Sequence, residues 1–346
     1  MKIITCAGYF NTGSSAITDF FTEFDNCKSL GIAEIRILQD PDGVSSLEYN
    51  IIEHPHRHNT SHAIKRFIKL AKFENGNALS KRYRKLFGNN FMEYTNEYIS
   101  DIVSLKAPGT WRYDAIEKGD FFYMIDALFR TIVMKTFHRR LSLLNLTGEQ
   151  CYYSNITKEE FYRFTKKYMN NLLSSASPEN TEYIMVDQLV PPNNIDRYCN
   201  YVNDLFVIVS ERDPRDLYIN EVEIPCGVIP IDSIEHFCEW YKITRTHRKN
   251  EEFKGNSMFL YFEDWIYKYD ETSKRIEEFV GLDEKHHTKK KHKLNPEVSI
   301  KNTRMWLRHP ECKKEIAYIE KELEEYLYDY SFLRNESNSS STSSYN

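Results

Sequence analysis

Ile3-Ile4-Thr5-Cys6-Ala7-Gly8-Tyr9-Phe10-Asn11-Thr12-Gly13-Ser14-Ser15 stands almost at the start of the chain, and its reading decides the fold. Residues 3–7 form a short continuous apolar run, the pattern of a parallel strand covered on both faces. Gly8 and Gly13 follow in Gly-x4-Gly spacing, as at the start of a phosphate-binding loop. Ala16, Ile17, Phe20, Phe21 and Phe24 then recur at helical spacing. The order is strand, glycine loop, helix. Glycines let such a loop turn its N–H groups onto anionic oxygens, and the helix adds its positive N-terminal end. Ser14 and Ser15 add hydroxyl donors. The plainer alternative is a tight turn in which Ser14 or Ser15 caps the helix. Ser14 occupies the place of the lysine that nucleotide-hydrolysing loops require, which argues against NTP hydrolysis.

Outward from this loop, Val207-Ile208-Val209-Ser210-Glu211-Arg212-Asp213-Pro214-Arg215-Asp216 reads as a buried strand running into an arginine. Residues 183–186 and 258–261 have the same buried-strand pattern, and residues 30–32 are a weaker candidate because Gly31 interrupts them. Residues 276–280 end a helix that Gly281 closes. A last helix is expected over 310–330. Strands separated by helices predict an α/β fold: a three-layer sandwich around a central parallel sheet with right-handed crossovers. Residues 55–180 read as a large, polar, helical insertion within one domain spanning 1–334. The Ser/Asn-rich stretch 335–346 reads as a disordered tail. Ligands of such sheets collect at the carboxyl ends of strands, and both stretches lie just past such ends.

The 346 residues carry 41% apolar and 28% charged side chains, ordinary values for a globular protein with a full core. A net charge of −5 argues against a nucleic-acid partner. Seven scattered cysteines, without metal-type spacing, fit reduced thiols and a cytoplasmic location. No apolar stretch approaches the roughly 18 residues of a membrane span, and the N-terminus lacks the pattern of a signal peptide. The chain holds 24 Tyr and 21 Phe, which suits an enzyme with a broad polar substrate groove, though composition bias gives the same count.

The ordered set of motifs resembles the PAPS-dependent sulfotransferases. That family's loop of the type Lys-x-Gly-(Ser/Thr)-(Ser/Thr), which holds the 5′-phosphosulfate, is matched here by Asn11, Thr12, Gly13, Ser14 and Ser15. Its Arg-x-Pro-x-Asp segment with a later serine, which binds the 3′-phosphate, is matched by Arg212 to Asp216 and then Asn220. Tyr261 to Trp265 and Arg275 to Leu282 are similar to its later strand end and helix end. Ser299-Ile300-Lys301-Asn302, followed by Trp306, resembles the loop that closes over the nucleotide.

The resemblance implies in-line transfer of a sulfuryl group from PAPS to a hydroxyl or amine, with no metal. It implies a small-molecule nucleotide donor held by Tyr9, Phe10, Asn11, Thr12, Gly13, Ser14, Ser15, Arg212, Asn220, Lys301 and Arg304. The acceptor it suggests is a saccharide. Oligomeric state is left open. Two departures stand out: Asn11 replaces the family's basic residue and Asn220 its serine. Asparagine donates hydrogen bonds but brings no charge to the transferring group. Arg36, Lys301 and Arg304 are the candidates to replace that charge. Without it the chain would be a slow or noncatalytic member; a small-molecule kinase is the other alternative.

Glu34 is the first candidate for the general base, at the end of the second candidate strand. The alternative for Glu34 is an ion pair. His54, His56, His58 and His62 are the other candidates for the base but read as loop histidines, and Pro55 makes a metal site there a poor fit. Asp187 and Gln188 end another strand and either line the acceptor groove or cap a turn. Asp216 is expected to cap the helix after Pro214. The lysine-rich run 289–293 reads as a solvated loop.

Overall fold

The computed structural model describes residues 1–77, 80, 82–178 and 181–333. The expected tail at 335–346 lies outside these described residues. The chain opens with strand β1 (Lys2–Gly8), helix α1 (Ser14–Phe21) and strand β2 (Cys27–Ser29). A helical stretch follows: α2 (Val44–Glu48), α3 (Arg57–Asn75), α4 (Arg82–Phe87), α5 (Asn90–Ile102), α6 (Arg112–Lys118), α7 (Asp120–Phe137), α8 (Leu143–Leu146) and α9 (Lys158–Ser175). It also holds an antiparallel pair, β3 (Leu105–Pro108) and β4 (Gln150–Tyr153). The remainder runs β5 (Tyr183–Asp187), α10 (Ile195–Cys199), β6 (Leu205–Glu211), α11 (Pro214–Glu223), α12 (Ile234–Thr244), β7 (Ser257–Tyr261), α13 (Phe262–Tyr267), α14 (Tyr269–Val280), α15 (Pro296–Ser299) and α16 (Lys313–Glu322).

Five strands form one parallel sheet in the order β2-β5-β1-β6-β7. The fold is α/β, with a central parallel sheet and a high helical content. Two compact units divide the chain. One comprises Met1–Glu34, Asn180–Ile195 and Asp204–Asn346 and holds the sheet; the other comprises Ile35–Glu179 and Asp196–Asn203 and is mostly helical.

In the sheet unit, β1 is central, and its apolar run explains why: Ile3, Ile4, Cys6 and Ala7 are all buried. The phenylalanines spaced along α1 turn one way. Phe20 packs 4.8 Å from Trp265 of α13, and with Phe21, Phe24, Ile276 and Val280 they build one core. Each fully buried side chain of this size stabilises by about 1.5–3 kcal/mol. A second cluster joins α11, α12 and α16 through Leu217, Ile219, Phe237, Tyr241, Ile316 and Ile319.

Three expected boundaries moved. β2 is Cys27–Ser29 rather than residues 30–32, because Gly31 takes a left-handed φ of 76° and breaks the extension. α16 stops at Glu322, after which Leu323, Tyr326 and Tyr328 turn inward. Asp213, not Asp216, caps α11: its carboxylate accepts the N–H of Arg215 at 2.9 Å, with Pro214 in the first helical turn.

Candidate active site

The loop after β1 is held from three sides of the sheet unit. Gln188, at the end of β5, accepts the N–H of Gly8 at 3.3 Å. Ser210 of β6 donates to the carbonyl of Thr12. The Thr12 hydroxyl in turn accepts the N–H of Tyr9 at 3.2 Å. Phe10, Asn11 and Gly13 all have positive φ, at 72°, 50° and 89°. A left-handed phenylalanine costs on the order of 1–2 kcal/mol and persists only where its surroundings enforce it. The run curls the chain so that, among the described residues, the N–H groups from Asn11 to Ser15 have no protein acceptor. Gly13 is required twice over. Its φ favours glycine, and a Cβ there would lie 2.6 Å from Cδ2 of Phe262. Neither serine caps α1, whose cap position is Gly13 itself.

The side chains of the loop divide by orientation. Tyr9 is buried, with its ring 4.6 Å from the Arg245 guanidinium. Thr12 is buried, its hydroxyl accepting a bond within the loop. Phe10, Asn11 and Ser15 are exposed. Asn11 donates from Nδ2 to Glu221 at 3.4 Å, and Glu221 also accepts the N–H groups of Cys226 and Gly227. A buried acid thus touches the Asn11 side chain.

Arg212, 201 positions further along the chain, meets this loop directly. Its Nη1 donates to the carbonyl of Asn11 and to Oδ1 of Asn220, both at 3.4 Å. Its Nη2 donates to the carbonyl of Asn302 at 2.7 Å. The guanidinium lies 5.4 Å from the centre of the Phe262 ring. Arg212 is only 6% exposed, and its Nε has no partner among the described residues. Among the described residues it forms no salt bridge, because the acids around it bind other groups. Asp213 binds Arg215 at 2.7 Å, and Glu211 binds Arg245 and Arg248. Asp216 accepts the N–H groups of Arg304 and Met305 at 2.9 and 2.6 Å. Glu263 accepts the N–H of Asp213 at 3.0 Å. A buried cation without a charge partner is costly, and an anion at this position would offset the cost.

Neither Asp213 nor Asp216 therefore forms a salt bridge with Arg212 among the described residues. Burial pushes the Asp216 carboxyl up to about 7; Arg212 opposes the rise and Asp213 adds to it. Burial, reinforced by Asp213 and Asp216, also raises the Glu263 carboxyl well above its ordinary value.

The late loop reaches the site through its backbone. Arg304 takes a φ of 52° and is half-buried, its guanidinium 5.8 Å from the Tyr330 ring. Lys301 is exposed, and its carbonyl accepts from Arg308. Arg36, the third candidate cation, belongs to the helical unit and binds Asp40 at 2.7 Å.

Glu34 is exposed and lies near enough to Asp187 to act on it. Asp187 is buried and takes an S–H bond from Cys6 at 2.8 Å. Burial pushes the Asp187 carboxyl up; the bonds from Cys6 and Ser14 lower it, Glu34 raises it, and the net shift is upward.

Several participants escaped the sequence reading. Asn302 sat within a quoted motif, but its backbone rather than its side chain is what matters. Glu221 follows Asn220 directly, yet nothing in the sequence aims it at Asn11. The Glu211–Arg245 pair, with contacts of 2.8 and 2.9 Å, fixes the strand end beside Arg212 and is invisible as a motif.

Elsewhere, His56 caps α3 and His58 packs edge-on to Trp111 at 4.3 Å. Among the described residues no group of three or more His, Cys, Asp or Glu is arranged to hold a metal ion. The lysine-rich run is tied down by its backbone: buried Glu23 accepts the N–H groups of Lys291, Lys293 and Leu294. Among the described residues no helix is long and apolar enough to cross a membrane.

No family model and no curated protein matches the chain. Among solved structures it is similar to a retinol dehydratase in complex with androsterone and the inactive cofactor PAP. That match has 15% identity and a TM-score of 0.31, and covers 87% of this chain and 67% of that one. It is also similar to the sulfotransferase STF9 from Mycobacterium avium, with 13% identity, a TM-score of 0.34, and coverage of 89% and 68%.

Proposed function

We propose that this chain is a sulfotransferase that moves a sulfuryl group from PAPS to a hydroxyl or amine of a saccharide acceptor. One observation carries the reading: the buried Arg212 guanidinium, lacking a salt bridge, reaches the carbonyl of Asn11 in the anion loop. A nucleotide with phosphates at two ends needs two such anion-binding points side by side. The loop N–H groups from Asn11 to Ser15 take the 5′-phosphosulfate. Arg212, helped by Asn220, takes the 3′-phosphate through a forked guanidinium. Lys301 and Arg304 stand on the loop that closes over the nucleotide.

In the transfer, the bond between sulfur and the bridging oxygen of PAPS breaks as the acceptor oxygen or nitrogen bonds to sulfur. The bisphosphate leaves with the bridging oxygen. The acceptor's proton passes to Glu34, whose neighbour Asp187 is held by Cys6 and Ser14. The test is two-part. Calorimetry with the 3′,5′-bisphosphate of adenosine should show binding, and labelled PAPS should deliver its sulfate to a saccharide panel. Failure to bind the bisphosphate refutes the reading.

A second reading, a noncatalytic nucleotide-binding protein, is favoured by Asn11 and its contact with Glu221. It predicts bisphosphate binding without transfer to any acceptor.

A further inference from the structure

The helical unit carries a feature that nucleotide chemistry does not use. Helix α7 turns Asp126 and Val133 inward; Asp126 accepts the N–H of Leu143 at 2.6 Å and pairs with Arg130. Its outward stripe is apolar. Phe121, Met124, Leu128 and Ile132 are 78%, 68%, 62% and 53% exposed, and Ile125 lies on the same face. At 1.5 Å per residue the stripe runs for roughly 16 Å. Tyr113 and Ile116 of the adjoining α6 are exposed as well. A helix that faces water in this way marks an interaction surface.

Charge identifies the occupant. Arg112 precedes the stripe, and Lys135, Arg139 and Arg140 follow it. All four are exposed, and among the described residues none has a carboxylate partner. Of the acids nearby, Asp114 is engaged by Lys65, Glu117 by Arg66 and Lys69, and Asp126 by Arg130, which leaves exposed Asp120 in the first turn of α7 against these four cations. In a chain of net charge −5, this is a locally basic, apolar strip with cations at both ends. A second copy laid antiparallel would set Lys135, Arg139 and Arg140 against Arg112; laid parallel, it would set each cation against its own twin. An anionic bilayer surface matches both the apolar face and the flanking charges. We propose that α7 is an interfacial helix that seats the protein on an anionic lipid surface without crossing it.

The experiment is co-sedimentation of the full chain with vesicles, neutral or containing about 30% anionic lipid, at low and high salt. The chain should partition onto the anionic vesicles and leave them as salt rises. Leu128→Ser with Ile132→Ser should lower the partition coefficient at least about a hundredfold. Arg139→Gln with Arg140→Gln should lower it about thirtyfold. These side chains are exposed, and unchanged circular dichroism and melting temperature verify folding in each variant. No partition, equal partition onto neutral vesicles, or indifference to the substitutions overturns the proposal. So does self-association in solution that Leu128→Ser with Ile132→Ser abolishes while vesicles stay unbound; that result makes the stripe a subunit contact.

Discussion

Replacing Arg212 with alanine separates a ligand-binding cation from a merely structural one. Of its side-chain contacts, Nη2 donates to Asn302 O at 2.7 Å and, more weakly, to Met305 Sδ at 3.3 Å; the two from Nη1 at 3.4 Å are weak. A hydrogen bond to a charged group stabilises by about 1.5–3 kcal/mol. Against this stands the cost of burying a guanidinium with no salt bridge, which the substitution removes. The two nearly cancel, so thermal stability should change by no more than about 1 kcal/mol. Ligand affinity has no such cancellation. Removing the forked contact to a 3′-phosphate should cost about 2–3 kcal/mol, or roughly 30- to 150-fold. Calorimetry with the 3′,5′-bisphosphate and with 5′-AMP isolates that phosphate. The parent should prefer the bisphosphate by about that factor, and Arg212→Ala should bring the two affinities together. If the preference survives the substitution, Arg212 does not hold the 3′-phosphate and the assigned cradle is wrong. If stability instead falls by several kcal/mol with no loss of preference, the arginine is a structural pin.

Four more outcomes follow from the same geometry. Asn11→Lys should raise sulfate transfer only modestly, because Glu221 lies within 3.4 Å of the Asn11 amide and will pair with the new cation; adding Glu221→Gln should release the larger gain in kcat. Gly13→Ala should destabilise by about 2–4 kcal/mol in urea unfolding, from the left-handed φ and the clash with Phe262; Phe262→Ala should recover only the steric share. The Asp216 carboxyl, raised to about 7 when folded, favours the folded state fully below the ordinary carboxylate range. That stability drains away as pH rises toward 7, at up to about 1.36 kcal/mol per pH unit, and Asp216→Asn should flatten the slope of denaturation midpoint against pH. Glu34→Gln should lower kcat while leaving bisphosphate affinity unchanged; a changed affinity with intact turnover would assign Glu34 to binding.

The elements that bear the anion loop were legible because their signals are local. An apolar run of β1 length, two glycines and phenylalanines at helical spacing sit within two dozen residues, and each reports on its own backbone. Arg212 stood out for the same reason, as the cation into which a buried strand runs. What escaped was long-range pairing. That Asp213 rather than Asp216 caps α11 depends on where Arg304 and Met305 come to lie, since their N–H groups claim Asp216. The strand expected at 30–32 sits three residues earlier because register with β5 favours Cys27–Ser29, and Gly31 turns away. The acid beside Asn11 depends on how α11 ends, which no spacing rule encodes.

The bond that Arg212 Nη2 donates to the Asn302 carbonyl gives one side chain two competing loyalties. A phosphate that arrives at the guanidinium draws on the same donors that now tether the segment from Ser299 to Arg308. If the proposed nucleotide binds there, its occupancy is registered in a peptide that need not touch it. Amide exchange along that peptide would act as a remote gauge of whether the nucleotide berth is filled.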